Sequence, residues 1–202
     1  QAQPFVYAGY TIFVAEVPST LSEALFLDLM LERATSREQR AMLLQHAIDS
    51  IAGTFYTQVM FADFELQAHR LVEGDQPITA ETLRTIYATL LGDYYGDVID
   101  HEPISDVTWA RIPHFFSTPY YVYQYATCFA STARLMQGIR AGDTGAREQA
   151  VERYLALLSA GGSAYPMDLL ARAGVDLSQP DTVAAVASEL DALVAQLEAE
   201  LG

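Results

Sequence analysis

Lysine is missing from this chain: all 11 basic residues are arginine, against 26 acidic ones, for a formal net charge of -15. A nucleic-acid-binding surface needs a basic footprint, and none exists here. Adsorption to an anionic membrane surface is disfavoured for the same reason. Cysteine is nearly missing as well. Cys128 stands alone, which excludes an internal disulfide and suits a reducing, cytoplasmic compartment. No uncharged apolar run reaches the roughly 18 to 20 residues of a membrane span, because Glu16, Glu23 and Asp28 interrupt the best candidate. No basic leader or signal-like cleavage site is visible, and the first residue is Gln1, not Met, which points to a fragment or a processed chain. Histidine is scarce too. His46, His69, His101 and His114 include no pair one helical turn apart, so they form no recognisable zinc motif. His101 and Glu102 open like HExxH, but Pro103 follows and Ser105 occupies the second histidine's place.

What is present is apolar and helical in period. The 202 residues are 51% hydrophobic, enough for one sizeable core, and no stretch alternates as a strand would. The expectation is an all-α, multi-helix fold in a single domain, 1–202. Helices are expected over 10–33, 36–71, 79–95, 118–140, 143–159 and 180–200, with a short one in "YPMDLLARAGVDL" that ends at Gly174. Pro18 should kink the first or restart it. Ser36 with Gln39 reads as a capping box, Gly53 as a bend, Thr79 as an N-cap, and Thr118–Pro119 as a helix start. Residues 96–117 read as irregular.

Two groups of residues could carry chemistry. Glu16, Ser19, Thr20 and Glu23 are spaced at three, four and seven, so on a helix they form one polar stripe between apolar sides. A carboxylate so placed needs an arginine, a wet cleft or a metal. Periodicity alone favours the face of a wet groove or an arginine network. The second group is "HFFSTPYYVYQYATC", residues 114–128. Tyr121 and Tyr125 share a helix face, Tyr120 and Tyr123 another. Tyrosines at a cleft can donate to a developing oxyanion; they can equally pack as large amphipathic side chains.

The segments "PFVYAGYTIFVAEVPSTLSEALFLDLML", "FADFELQAH", "IPHFFSTPYYVYQYATCFAS" and "LSAGGSAYPMDLLARAGVDLSQP" together resemble the C-terminal part of the oligoendopeptidase F group. That group lies within the thimet-oligopeptidase-like family of zinc metallopeptidases. The resemblance spans nearly the whole chain in the family's order and implies an almost wholly helical fold. It implies that Glu16, in "AEVPS", is a metal ligand, with Glu23 at most supporting it from behind. It implies further that the HExxH helix, with two zinc histidines and the general base, precedes this segment. His114, Tyr121 and Tyr125 would hold the oxyanion, and Tyr120 and Tyr123 would bind the substrate backbone. "FFSTP" replaces the Gly-rich loop of the thimet branch, which bears on the pairing of the tyrosines.

The implied activity is zinc-dependent hydrolysis of short oligopeptides. The implied partners are those peptides and the N-terminal remainder of the same enzyme, with neither nucleic acid nor membrane. This chain alone lacks HExxH, so it is expected to bind zinc weakly or not at all and to cleave nothing. The competing readings are a non-catalytic helical interaction module and an inactive paralogue.

Overall fold

The computed structural model describes residues 2–98 and 102–202. Among them there are helices and turns and no strand. Two short helices, α1 (Phe5–Ala8) and α2 (Ile12–Ala15), lead into α3 (Val17–Arg33). Pro18 falls in the first turn of α3, where its missing N–H costs nothing. The chain therefore breaks at Glu16 and restarts. α4 (Arg37–Ile51) is capped by Ser36, whose hydroxyl accepts from the Gln39 amide at 3.2 Å. The reciprocal arm is shifted by one residue, since the Gln39 side chain takes the Thr35 amide at 3.0 Å. Gly53, the expected bend, lies in a π-helical turn, Ala52–Tyr56, between α4 and α5 (Thr57–Glu73).

Thr79 caps α6 (Ala80–Tyr95) through the Thr82 amide. The stretch expected to be irregular holds a 3-10 segment, Ser105–Arg111, and one helical turn, α7 (His114–Ser117). His101 lies outside the described residues. α8 runs over Tyr123–Ile139, α9 over Thr144–Ala160, α10 over Pro166–Arg172 and α11 over Pro180–Leu201. The start of α8 corrects the expectation of a helix from Thr118. Thr118 instead ends α7, its amide returning to the His114 carbonyl, and Tyr120 stands at φ 58, which no right-handed helix accommodates.

The helices gather into two compact units. The first takes the residues up to Ala52 and Thr127–Gly202. Its core joins Val14, Val17 and Leu21 to Cys128, Leu135, Met136, Leu170 and Val175. α11 lies along α4, tied at its end by Arg40 and Glu200 at 2.5 Å. Arg140, just past the end of α8, binds Asp28 on α3 through two N–H groups, at 2.6 and 2.8 Å, and Glu189 on α11 at 2.7 Å. The Gly162 amide donates to the Tyr7 carbonyl at 2.8 Å. At Gly161, with φ 52, any Cβ would run into that carbonyl, and at Gly162 into the Gly9 carbonyl.

The second unit is continuous, Gly53–Ala126. Met60, Phe61 and Phe64 of α5 pack with Tyr87, Leu90 and Leu91 of α6 and with Val122. Trp109 stacks on Phe64, their ring centres 6.1 Å apart. No helix among the described residues is long and apolar enough to cross a membrane.

Candidate functional site

In the first unit the polar stripe begins at the break that Pro18 imposes. Glu16 closes α2 and opens α3, with φ -88 and ψ -6, and its side chain is exposed. Ser19 donates to one Glu16 carboxylate oxygen at 2.8 Å and to the Glu16 carbonyl at 3.0 Å. Thr20 donates to the same carbonyl at 2.8 Å and meets the Thr132 hydroxyl at 2.6 Å. The stripe thus holds itself in place. Among the described residues neither Glu16 nor Glu23 pairs with an arginine; the arginines that form ion pairs serve Glu200, Glu81, Asp106, Asp28 and Glu189.

Glu23, two turns along, lines a mainly apolar cavity of about 280 Å³ with Thr20, His46, Phe26 and Met136. Behind the stripe lies Cys128, which is buried and donates to the Phe13 carbonyl at 3.2 Å. Burial pushes its thiol up to about 11, with the Glu16 carboxylate adding to the rise.

In the second unit α7 places His114. Its neighbour Phe115 is driven into the aromatic core against Phe61 and Phe64, at 5.6 and 5.2 Å, leaving His114 on the other side of the turn. Tyr121 stacks on the His114 ring at 5.0 Å and 16°. Tyr125 meets both edge-on, at 6.0 Å from His114 and 5.5 Å from Tyr121. The sequence groups these three, and the structure brings them together.

Tyr120 and Tyr123 do not share a helix face, because α8 begins only at Tyr123. Both are open to solvent, at 45% and 39%. The Tyr120 amide donates to Glu65 at 2.8 Å, and its ring lies 4.6 Å from that of His69. Glu65 is the residue that sequence reasoning misses. It is 4% exposed, and its signal is a carboxylate inside the apolar run "MFADFEL", four residues before a histidine.

As a donor set for a metal, these residues are partial. Among the described residues no three of His, Cys, Asp and Glu gather as a metal site. Glu16 has the form of one ligand: an exposed carboxylate, steadied by a serine and paired with no arginine among the described residues.

The sequence model of peptidase family M3 matches residues 1–188. Oligopeptidase PepF of Bacillus subtilis is 39% identical over 199 residues, which take in 97% of this chain and 28% of that protein. The plasmid-borne oligoendopeptidase F of Lactococcus lactis subsp. cremoris is 36% identical over 196 residues, 97% of this chain and 32% of that one. The chain therefore spans less than a third of the length of either relative. The crystal structure of oligoendopeptidase-F from Enterococcus faecium superposes with a TM-score of 0.86 at 35% identity, over 95% of this chain and 36% of that one.

Proposed function

The chain belongs to peptidase family M3, and on that premise we propose that it forms the C-terminal part of a zinc metalloendopeptidase that hydrolyses short oligopeptides in the cytoplasm. The observation that carries this reading is Glu16: an exposed carboxylate held by Ser19 at a helix break, with no arginine paired to it among the described residues. Such a group is poised to give an anionic oxygen to a metal. Glu16 would hold one corner of the zinc, and residues of the longer polypeptide would supply the others and the general base. The zinc, when bound, would polarise the scissile carbonyl and lower the pKa of a water toward about 7.

The other roles fall to named side chains. Ser19 fixes the Glu16 rotamer, which keeps the ligand from sweeping through solvent. Glu23, on the same face, acts at most as support. The Tyr121 and Tyr125 hydroxyls and the His114 imidazole form a cluster of donors stiffened by mutual ring contact, the kind of preorganised group that lowers the energy of an oxyanion. Tyr120 and Tyr123, open to solvent, present hydroxyls to the substrate backbone. Packing alone would account for Tyr121 and Tyr125, but not for a surface Tyr120 kept in a left-handed backbone conformation, since strain of that kind collects at functional sites.

The test is Glu16→Gln in the complete enzyme. It keeps shape and removes the anionic oxygen. Zinc content and turnover should both fall, turnover by orders of magnitude, while Glu23→Gln does less. Wild-type zinc and turnover in Glu16→Gln would refute the assignment. The isolated 202-residue chain should take up no stoichiometric zinc after dialysis and should cleave no peptide.

A further inference from the structure

Tyr120 owes its position to two side chains of α5 that no helix pattern of its own segment provides. Its φ of 58 is costly for a residue with a Cβ. Such a conformation persists only where the surroundings overdetermine it. Here they do. Glu65, 4% exposed, accepts the Tyr120 amide at 2.8 Å. One helical turn further along α5, His69 lies against the Tyr120 ring at 4.6 Å and 35°. The i, i+4 spacing sets both on one face of α5. One grips the backbone and the other grips the ring.

We infer that Glu65 and His69 are positioning residues for Tyr120, holding its hydroxyl where a peptide substrate is bound. This rests on the proposed role of Tyr120 above. A buried carboxylate is costly unless it is hydrogen-bonded. A backbone N–H that would otherwise point into a turn is a partner well suited to it, because buried polar groups need a hydrogen-bond partner. The left-handed backbone at Tyr120 (φ 58) keeps it out of a right-handed helix, and α8 begins only at Tyr123. Neither side chain is expected to touch the scissile bond. Their contribution is geometric, and a misplacement of about 1 Å can cost on the order of 100-fold in rate.

The experiment uses the complete, zinc-loaded enzyme and five variants: Glu65→Leu, Glu65→Gln, His69→Leu, Tyr120→Ala and the double Glu65→Leu/Tyr120→Ala. Two readouts are taken, peptide-hydrolysis kinetics and hydrogen exchange of the segment 117–123. Glu65→Leu should free the Tyr120 amide to exchange and lower kcat/KM on the order of 10- to 100-fold, chiefly through KM. Glu65→Gln keeps a carbonyl acceptor and should recover most of the loss. In the double variant the leucine should add almost nothing to Tyr120→Ala, since Glu65 acts through the tyrosine. His69→Leu should act in the same direction as Glu65→Leu, more weakly.

An unchanged exchange rate in Glu65→Leu would overturn the inference. So would freed exchange with unaltered kinetics, or losses that add in the double variant. If Tyr120→Ala by itself leaves kcat/KM intact, the substrate role of Tyr120 falls and this inference with it. That outcome is recognised from the single variant, separately from the exchange data.

Discussion

At the scale of single residues, the oxyanion role proposed for His114, Tyr121 and Tyr125 gives the sharpest test. An oxyanion donor acts on the transition state more than on the bound substrate. Tyr121→Phe or Tyr125→Phe in the complete enzyme should therefore lower kcat about 10²- to 10³-fold with KM little changed, the two not to the same degree. His114→Ala should lower kcat/KM. Phe keeps the ring contacts with His114, so the melting temperature should hold; full activity in both Phe variants would return the cluster to packing. Cys128 offers a second residue-scale prediction. Its thiol is raised from 9.0 to about 11, and the Tyr87 hydroxyl from 10.0 to about 12, both first by burial. A group whose folded pKa lies above its unfolded one stabilises fully below the unfolded value and loses that contribution as pH climbs through the folded one. Stability should thus fall progressively from about pH 9 to pH 12, and alkylation of Cys128 at neutral pH should be slow until the protein is denatured. Rapid alkylation of the native chain, followed by mass spectrometry, would contradict the burial argument.

At the scale of elements, much is legible in the sequence because the signals are local. Ser36 and Thr79 cap the helices they are expected to cap, and Pro18 restarts a helix, as a proline in a first turn does. The tyrosine segment misleads for the opposite reason. Thr118–Pro119 is a sound start signal, yet Tyr120 stands at φ 58 and α8 begins only at Tyr123; the Glu65 contact to the Tyr120 amide reaches across 55 residues and leaves no periodicity to read. His69 reads as an ordinary histidine because nothing in its neighbourhood names its partner. The pair Gly161 and Gly162 is legible as a helix end and not as a clasp. A Cβ at Gly162 would meet the Gly9 carbonyl, whereas one at Gly142 would meet open space. Gly162→Ala should cost on the order of 1 to 3 kcal/mol and Gly142→Ala much less, as read from urea midpoints. Arg140 joins three helices through Asp28 and Glu189. Arg140→Met should cost about 1 kcal/mol or somewhat more, since a network holds better than an isolated surface pair, and the deficit should shrink as salt rises.

At the scale of the whole molecule, composition argues against nucleic acid from the outset, and the helical class follows from the absence of alternation. The grouping into units is not legible, because no linker or change in composition marks Ala52 or Thr127. That grouping carries a consequence for biosynthesis. The unit Gly53–Ala126 is one uninterrupted stretch, while the other is assembled from the beginning and the end of the chain. Chains emerge from the ribosome N-terminus first, and compact units tend to fold as they are completed. The later-starting unit should therefore be the first to finish, and the residues up to Ala52 should wait for α8 to α11 to complete their own unit. Proteolysis of ribosome-arrested chains ending within α9 should find Gly53–Ala126 resistant and the α3–α4 region still cleavable; simultaneous protection of both only at full length would argue against it. During that interval α3, with Phe26 and Leu29 outward even in the finished fold, is the surface on which a nascent-chain chaperone would have most to hold.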